Sequence, residues 1–542
     1  MNLAADITQR FKGEVFHDPE SLDRYSRDAS LFAVRPALVV APRNAEDVGE
    51  LVRFASERPG VSLTARSGGT DMSGGPLSES IVVDVTRHLN KILEVGNGYA
   101  VAQPGVYYRD FERETLKKGL LMPSYPASRE ICTIGGIVAN NSGGEKTLTY
   151  GQTKQYVIGL KVVLADGNEY QVKPLTQPEL ESKIAQGDFE GNLYKEVWNL
   201  VGEHHDFLNE HKPKVSKNSA GYFLWDVWDG HTFDLTKLFT GSQGTLGIIT
   251  EIKFKLIKPK SHSKLLVIFL NDLSLLDDVA LEVLKYKPES FESYDDKTLK
   301  IALRYIFNFI KLLGKNVFSL AWSFLPEFKL VLTGGIPKMI LMAEFAGDDE
   351  QEVARQAEAA QASLARFNLP THITNDDDES KKYWTIRRES FNLLRKHIEG
   401  KRTAPFIDDM VVQPKHLPDF LPKLEKILEP YDLTYSVAGH IGDGNLHIIP
   451  LMDIGDERIA KIIPELSKKV YDLILEFHGS ITGEHNDGLI RTPFLKQMYG
   501  EKMYSLFEKT KQIFDSKGIF NPGKKVGGSF EYAMAHLNTG AK

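Results

Sequence analysis

The sequence is poor in cysteine, which limits the redox chemistry that the chain can support. Cys132 is the single cysteine among 542 residues. A disulfide framework or a cysteine-ligated iron–sulfur cluster requires several cysteines, so this chain forms neither by itself. Any redox cofactor must therefore be held without thiolates.

Long apolar runs and an excess of positive charge are also missing. No uninterrupted run of 18 apolar residues occurs, and the first residues, MNLAADITQRFKGEVF, lack an apolar leader core. Both observations argue against membrane spanning and secretion. The formal net charge of −7 argues against a nucleic-acid partner. We expect a cytoplasmic protein.

One segment, residues 299–345, is compatible with contact at a membrane surface. Residues 299–345 combine many aromatic residues with lysines and contain few acidic residues before their end. A basic amphipathic stretch of this kind either lies on a membrane surface or packs as a buried helix. Peripheral contact with the inner face of the membrane is one expectation for this segment, and internal packing is the other.

The remaining composition is that of a globular protein. Apolar residues make up 42% of the chain and charged residues 26%, and the length is sufficient for two to four domains. The first part alternates predicted strands, such as ALVVAP (37–42) and VSLTAR (61–66), with predicted helices. Between these two strands, Asn44 is a favourable N-cap for a helix with Asp47 in its first turn.

A glycine-rich loop follows the second of these strands. RSGGTDMSGG (66–75) matches neither the G-x-G-x-x-G pattern nor a P-loop. Its backbone N–H groups can nevertheless converge on an anion such as a diphosphate, although a plain surface connection has the same composition. Two further glycine-rich segments, within 122–167 and 233–259, favour a long, extended cofactor that contacts all three.

A second motif, GHIGDGNLH (439–447), places two histidines around a Gly-Asp-Gly turn. A two-residue type I′ turn at Asp443 and Gly444 predicts that His440 and His447 face each other, with Cβ atoms about 5 Å apart. Such a pair either binds one cation or forms a structural contact. A third ligand from elsewhere in the chain would favour cation binding over a structural contact.

The segment GSITGEHNDG (479–488) contains the best candidate for that ligand. Glu484 and His485 are adjacent, and adjacent residues of an extended segment point to opposite sides. Two histidines and one carboxylate with an open coordination position form a catalytic zinc pattern. We therefore expect Glu484 to face a metal and His485 to face a substrate.

Several motifs, found in order along the chain, give the sequence a specific resemblance. RSGGTDMSGG, AVAQPGV, PASREICTIGGIVANNSGG, YGQTKQYVIGLKVVLADG and LFTGSQGTLGIIT resemble the PCMH-type FAD-binding fold of the vanillyl-alcohol oxidase flavoprotein superfamily. GHIGDGNLH, GEHNDG and IFNPGKKV (519–526) resemble its branch of D-lactate dehydrogenases, D-2-hydroxyglutarate dehydrogenases and glycolate oxidase FAD subunits. The matches extend from about residue 35 to residue 526, with a poorly matching middle.

The resemblance implies an α+β protein with three parts. It implies a PCMH-type FAD-binding domain of two α/β subdomains over 1–260, an antiparallel-sheet and helix cap domain over 261–480, and a C-terminal segment over 481–542 that returns to the FAD domain. Relatives with a covalently attached flavin have RSGGH in the first glycine loop, where this sequence has Thr70. We therefore expect non-covalent FAD.

Motif by motif, the resemblance also implies a set of site residues. It places a divalent metal, expected to be zinc, at His440, His447 and Glu484, with His485 as the base that accepts the substrate's hydroxyl proton. Arg387 in YWTIRRES is the expected ligand of the substrate carboxylate, with Arg388 as the second choice. The expected cofactor-binding residues are Arg66, Ser67, Gly68, Gly69, Thr70, Asp71, Ser73, Gly74, Ser128, Thr133, Gly136, Asn141, Gly144, Ile249 and Asn521, with Lys524 close to the flavin end.

The activity implied by the resemblance is oxidation of a D-lactate-like D-2-hydroxy acid to the 2-oxo acid, with hydride transfer to flavin N5. The implied electron acceptor is a quinone, a cytochrome, an electron-transfer flavoprotein or an iron–sulfur subunit. Relatives with hydroxyglutarate activity carry asparagine where Ile449 stands, which disfavours a dicarboxylate substrate.

Two other functions remain open at this point. One is a flavin-binding subunit of a multi-subunit glycolate or lactate oxidoreductase with an iron–sulfur partner. The variant GEHNDG, where many relatives have GEHGIG, also resembles larger FAD and iron–sulfur fusion proteins. The other is a non-redox use of the fold, as in alkylglycerone-phosphate synthase.

Overall fold

The computed structural model describes residues 3–304, 336–397, 401–431, 433–453, 455–456 and 458–538. These residues form four-, five- and eight-stranded sheets and one two-stranded sheet, with helices packed around them. The mixture of helices with antiparallel and mixed sheets confirms the expected α+β class.

The first sheet begins where the alternating pattern of strands and helices begins in the sequence. It contains β1 (Glu14–Phe16), β2 (Leu38–Ala41), β3 (Leu63–Arg66) and β4 (Ile81–Asp84) in the order β1-β2-β4-β3. β2, β4 and β3 run parallel, and every residue of β2 and β4 is buried, as expected for parallel strands covered on both faces. Both predicted strands flanking the first helix are thus confirmed.

That helix, Ala45–Ser56, also begins where the sequence predicts. The Asn44 side chain accepts a hydrogen bond of 2.9 Å from the backbone N–H of Asp47, which satisfies one of the free donors of the first turn. The helix contacts β3, and the glycine loop starts where β3 ends, at the buried Arg66.

The second sheet is antiparallel and follows in the chain. It contains β5 (Ile92–Val95), β6 (Tyr99–Ala102), β7 (Val157–Val163), β8 (Glu169–Val172) and, after the two-stranded sheet of β9 (Leu175–Thr176) and β10 (Thr232–Phe233), β11 (Ile248–Lys255). Its order is β5-β6-β11-β7-β8, so β11 lies at the centre. The third glycine-rich segment leads directly into this central strand.

The third sheet has eight strands and spans the second half of the chain. It contains β12 (His262–Leu270), β13 (Ser290–Asp295), β14 (Met339–Gly347), β15 (Thr371–Ile373), β16 (Arg402–Thr403), β17 (Met410–Val411), β18 (Thr434–His440) and β19 (Asn445–Met452). The order is β15-β12-β14-β13-β18-β19-β16, with β17 also paired to β19. The pairings within it are antiparallel.

Helices cover both faces of this sheet. Along β12, Leu266 and Ile268 belong to one buried core, whereas Leu265 and Val267 belong to another, as the two-residue period of a strand requires. The helices Leu276–Leu284, Glu350–Ser363, Leu417–Leu428 and Ile459–Glu476 contribute to the first core, and Asp377–His397 contributes to the second.

The other α-helices described by the structure are Leu3–Ile7, Pro19–Tyr25, Tyr108–Leu116, Ile134–Asn140, Thr147–Tyr150, Gln177–Ile184, Phe189–Glu203, His205–His211, Thr236–Phe239, Asp296–Arg304, Gly488–Arg491, Leu495–Phe514 and Phe530–Ala535. Near the end of the chain, the backbone N–H of Asn521 donates to the carbonyl of Leu63 in β3. The C-terminal segment thus contacts the first sheet.

The helices give no support for a membrane span. Among the described residues, every helix is too short or too polar to cross a bilayer. The predicted surface contact at 299–345 falls mainly on residues 305–335, which lie outside the described residues.

Candidate active site

A cavity of about 730 Å³ is lined by residues from both halves of the chain. Arg66 and Thr70 come from the first glycine loop, Gly136 from the second and Ile249 from the strand after the third, while His485 comes from the C-terminal segment. The volume is in the range of small-molecule and cofactor pockets. The structure therefore brings the three backbone-rich loops and the histidine motifs to one cavity.

Glycines allow close contact between the first two loops. A Cβ atom at Gly136 would lie 2.8 Å from the Ser67 hydroxyl, and Gly69 has a positive φ of 67°. The Asp71 carboxylate orders the first loop by accepting hydrogen bonds from the backbone of Ser73 and Gly75, and it also accepts one from the Asn140 side chain. A backbone-lined groove results, which fits an extended cofactor with a diphosphate.

The predicted cofactor residues divide into two groups by position. One group lines the cavity: Arg66, Ser67, Gly69, Thr70, Asp71, Ser128, Gly136, Gly144 and Ile249. The other does not belong to the lining: Gly68, Ser73, Gly74, Thr133, Asn141, Asn521 and Lys524. Asn521 illustrates the second group, because its side-chain amide donates to the backbone carbonyls of Gly75 and Gln243 and so ties the tail to two loops.

The hairpin at the second histidine motif differs from the prediction. His440 pairs with Asn445, and His447 pairs with Ala438, so the two histidines are not directly opposite. Residues 441–444 form a four-residue loop in which Ile441–Asp443 is a 3-10 turn, and Gly444 alone has a left-handed conformation. The type I′ assignment was wrong because it requires positive φ at Asp443 as well.

The two imidazoles nevertheless lie on one face and meet a common acidic residue. Their ring centres are 5.2 Å apart. Oε1 of Glu484 lies 3.2 Å from Nε2 of His440 and 3.4 Å from Nε2 of His447. Two imidazole nitrogens and a carboxylate oxygen therefore converge at one point of the cavity.

Buried carboxylates hold the other nitrogen of each ring. Nδ1 of His440 lies 2.6 Å from Glu292, and Nδ1 of His447 lies 3.2 Å from Asp408. This arrangement leaves Nε2 of each ring directed at Glu484, and it is the usual support of metal-bound histidines. Burial lowers the pKa of His447, but the Asp408 and Glu484 carboxylates together outweigh burial and raise this pKa to about 10. The donor set fits a divalent metal, whose positive charge would replace that proton.

A wider group of possible ligands includes Asp409. One ligand atom from each of Asp409, His447, Glu484 and His485 lies within 4.8 Å of the others. The Asp409 carboxylate already accepts hydrogen bonds from the backbone of Glu484 and His485 and from the Asn445 side chain. We therefore favour His440, His447 and Glu484 as metal donors, with Asp409 holding the backbone of Glu484.

The environment of Glu484 keeps it ionised. Nζ of Lys217, which is fully buried, lies 3.3 Å from Oε2 of Glu484 and 3.6 Å from Asp443. Burial raises the pKa of Glu484, but the charges of Lys217 and His440 outweigh burial and hold this pKa well below its ordinary value. A permanently anionic carboxylate is the form that binds a metal.

His485 lies beside this group. The prediction that Glu484 and His485 point to opposite sides of an extended segment is therefore wrong. Nδ1 of His485 lies 2.9 Å from Oδ2 of Asp408, and the His485 ring stacks on His447 at 5.1 Å. The two adjacent backbone N–H groups of Glu484 and His485 both donate to Asp409, so this segment is curled around that carboxylate and not extended. Burial lowers the pKa of His485, but Asp409 and Asp408 raise it above the ordinary value.

The two candidate arginines also reach the cavity, from the helix Asp377–His397. Nη2 of Arg387 lies 2.6 Å from Oε2 of Glu292, while the buried Nε of Arg387 has no hydrogen-bond partner. Arg388 forms an ion pair with Glu145, which also lines the cavity. An unpaired, buried guanidinium N–H at Arg387 supports its expected role toward an anion.

Several residues of this site were not predicted from the sequence. They are Lys217, Glu292, Asp408 and Asp409, each buried and each in contact with a predicted site residue. The segment FIDDMVV could have signalled two of them, since consecutive acidic residues within an apolar stretch require partners when buried.

The departure GEHNDG has a structural explanation. The Asn486 amide donates to the backbone carbonyls of Asn140 and Gly241, and Oδ2 of Asp487 lies 2.8 Å from Nζ of Lys525. All of Asn486, Asp487 and Lys525 are fully buried. These side chains therefore anchor the C-terminal segment and do not line the cavity.

Comparisons with known protein families and relatives agree with this geometry. Residues 36–173 match an FAD binding domain, and residues 260–525 match the C-terminal domain of FAD linked oxidases. The D-2-hydroxyglutarate dehydrogenase of Pantoea ananatis is 28% identical over 514 residues, which cover 92% of this chain and 49% of that protein. The D-lactate dehydrogenase of Archaeoglobus fulgidus is 27% identical over 518 residues, which cover 95% of this chain and 97% of that protein.

The chain thus spans about half the length of the D-2-hydroxyglutarate dehydrogenases of Pantoea ananatis, Escherichia coli and Pseudomonas putida. It spans 96% of the length of the D-2-hydroxyglutarate dehydrogenase of Stutzerimonas stutzeri, at 26% identity. A solved structure of the 4-ethylphenol oxidase of Gulosibacter chungangensis has a similar fold, with a TM-score of 0.68, 16% identity and coverage of 96% of each chain.

Proposed function

We propose that this chain, which matches the FAD binding domain and the C-terminal domain of FAD linked oxidases, is an FAD-dependent dehydrogenase of a D-2-hydroxy acid, assisted by a divalent metal. One observation carries this proposal. The histidine and glutamate donor set, the base candidate His485 and Arg387 line the same cavity as the glycine loops. The names of the two dehydrogenase relatives support the same class of substrate.

The cofactor is proposed to be non-covalent FAD, and Arg66, Ser67 and Gly69 of the first glycine loop would hold its diphosphate. The metal is proposed to be zinc at His440, His447 and Glu484, since two imidazoles and one carboxylate are a preferred zinc donor set. When bound, FAD supplies the hydride acceptor, and the metal supplies a positive charge that lowers the pKa of the substrate hydroxyl.

The residues of the chain then position the substrate and remove one proton. Arg387 binds the substrate carboxylate through its guanidinium, and Glu292 fixes the direction of that guanidinium. His485 accepts the hydroxyl proton at Nε2, because Asp408 occupies its Nδ1 side. The C2 hydrogen leaves with two electrons as hydride, the hydroxyl proton leaves to His485, and the product is the 2-oxo acid.

We propose that the electrons leave the flavin to an acceptor outside this chain. The one cysteine, Cys132, is buried and cannot ligate an iron–sulfur cluster alone. A quinone, a cytochrome, an electron-transfer flavoprotein or an iron–sulfur subunit would each satisfy this requirement.

The division into an FAD-binding part, a cap and a C-terminal segment is proposed on the same basis. β12 begins at His262, close to the proposed boundary at 260, and opens the eight-stranded sheet that carries both histidines. The segment from 481 onward carries Glu484 and His485 and then contacts β3.

A dye-linked assay tests the proposed function. Purified holoprotein with bound FAD and metal is mixed with an artificial electron acceptor and with the D or L form of several 2-hydroxy acids. We expect reduction of the dye with a D acid, little reduction with the matching L acid, and release of the 2-oxo acid. Absence of turnover with every D acid tested would refute the proposal.

A further inference from the structure

A salt bridge between Arg388 and Glu145 joins the two sides of the cavity. Nη2 of Arg388 lies 2.6 Å from both carboxylate oxygens of Glu145, and Nε lies 3.2 Å from one of them. Both residues line the cavity that contains the donor set. Arg388 is thus a second cation beside Arg387, but an acidic side chain already neutralises it.

Arg387 and Arg388 differ in what a substrate anion would meet. Arg387 also pairs with an acid, Glu292, but His440 shares that carboxylate, and the buried Nε of Arg387 lacks a hydrogen-bond partner, so one carboxylate can still be bound there. At Arg388 the guanidinium is engaged in a two-pronged pair, and an approaching carboxylate would also meet the negative charge of Glu145. Like charges brought together in a partly buried site are unfavourable.

One stretch of the cavity wall close to the histidine hairpin carries uncharged side chains, and Arg129, a further arginine of the lining, already forms ion pairs with Glu112 and Glu130. Thr403, Ser436, Ala438 and Ile449 line the cavity with uncharged side chains close to the histidine hairpin. This wall accepts an uncharged side chain of a substrate. A second carboxylate would lose its hydration there without gaining a cation.

From this arrangement we infer that Glu145 determines substrate specificity. By neutralising Arg388, it restricts the substrate to 2-hydroxy monocarboxylates with an uncharged side chain and rejects 2-hydroxy dicarboxylates. This inference rests on the proposed function. It goes further by naming the substrate class, which the relatives leave open because one is named for a dicarboxylate and another for a monocarboxylate at similar identity.

The test compares two substrate classes on wild-type holoprotein and three variants. The substrates are D-lactate and D-2-hydroxybutyrate as monocarboxylates and D-malate and D-2-hydroxyglutarate as dicarboxylates. The variants are Glu145→Gln, Arg388→Gln and the double variant. The readout is the ratio of kcat/KM between the two classes, and the flavin spectrum and melting temperature report whether each variant is folded.

We expect the wild type to favour monocarboxylates by at least about tenfold, which corresponds to about 1.4 kcal/mol. Glu145→Gln should raise kcat/KM for dicarboxylates about tenfold relative to kcat/KM for monocarboxylates, because it frees Arg388. Arg388→Gln should produce no such gain, and the double variant should lose the gain.

Two results would overturn the inference. A wild-type preference for dicarboxylates would show that Arg388 already binds the second carboxylate. A constant ratio of kcat/KM between classes in Glu145→Gln, with a lowered melting temperature, would show that the salt bridge is only a structural link. Both results differ from failure of the proposed function, in which neither class reduces the flavin of metal-replete wild-type protein.

Discussion

Oε1 of Glu292 lies 2.6 Å from Nδ1 of His440, and both side chains are buried. The other carboxylate oxygen of Glu292 lies 2.6 Å from Nη2 of Arg387. One buried carboxylate thus orients both a proposed metal ligand and the proposed ligand of the substrate carboxylate. Asp408 likewise contacts Nδ1 of His447, a proposed metal ligand, and Nδ1 of His485, the proposed base.

The substitution Glu292→Gln should weaken both metal binding and substrate binding. A neutral amide no longer balances the charge of Arg387 or holds the His440 ring by a charged hydrogen bond. We expect metal affinity to fall about 10- to 100-fold, as for other supporting residues of metal sites, and KM for the 2-hydroxy acid to rise. Competition with a zinc chelator and steady-state kinetics measure the two effects.

Glu289→Gln is the matched control for that variant. Glu289 is buried just before β13 and pairs with Lys146 at 2.8 Å, but it does not line the cavity. Metal affinity and KM should stay at wild-type values in this variant. Equal losses in the two variants would mean that Glu292 acts only through general stability of the fold.

The substitution His485→Gln should reduce catalysis without removing the metal. The proposed base is lost, whereas His440, His447 and Glu484 are untouched, so the rate of flavin reduction should fall about 10²- to 10⁴-fold. Anaerobic stopped-flow absorbance gives this rate, and elemental analysis gives the metal content. Loss of the metal would instead identify His485 as a ligand.

Removal of the metal should slow the reaction and leave the flavin bound. The proposed donors come from the second half of the chain, whereas the diphosphate is proposed to bind beside Arg66 and Thr70 of the first glycine loop. Dialysis against a chelator should therefore abolish most turnover but preserve the flavin spectrum, and added zinc should restore turnover. Undiminished turnover of protein shown to be metal-free would contradict the metal's role.

The free energy of unfolding should depend on pH through the titration of the Asp28 carboxyl group. Burial and the nearby charge of Asp71 raise the pKa of Asp28 from 3.8 to about 7. Because the folded state binds this proton more tightly than the unfolded state does, the stabilisation is complete below about pH 4 and is lost as pH rises through about 7. A shift of this size corresponds to at most about 4 kcal/mol.

The variant Asp28→Asn lacks this titration. The melting temperature of Asp28→Asn minus that of the wild type should therefore be higher at pH 8 than at pH 5. Differential scanning calorimetry measures both temperatures. Asp23→Asn, at a side chain that is 69% exposed, serves as the control and should show no such trend. If the difference in melting temperature between Asp28→Asn and the wild type were the same at both pH values, the predicted role of Asp28 would be contradicted.

Much of the fold was predictable because local patterns carry it. The buried apolar runs of β2 and β4, the Asn44 cap and the glycine loop after β3 depend on residues that are close in sequence. The convergence of His440, His447 and Glu484 was predictable only in part. The prediction brought these three side chains together, as the structure does, but assigned the wrong register to the hairpin.

The remaining site residues depend on contacts between distant parts of the chain. Lys217 reaches Glu484 from 267 positions away, and Glu292 reaches His440 from 148 positions away. No local pattern indicates such partners, since an isolated lysine or glutamate is most often exposed. The curled backbone at Glu484 and His485 likewise depends on Asp409, which lies just before β17 and is distant in sequence.

The most direct measurement is anaerobic single turnover in a stopped-flow spectrophotometer with metal-replete holoprotein and a D-2-hydroxy acid. We predict bleaching of the oxidised flavin and formation of one equivalent of 2-oxo acid per flavin reduced, with both lost in His485→Gln. An unbleached flavin with every acid, or bleaching that yields no 2-oxo acid, would contradict the proposal that the donor set and the flavin act together in this cavity.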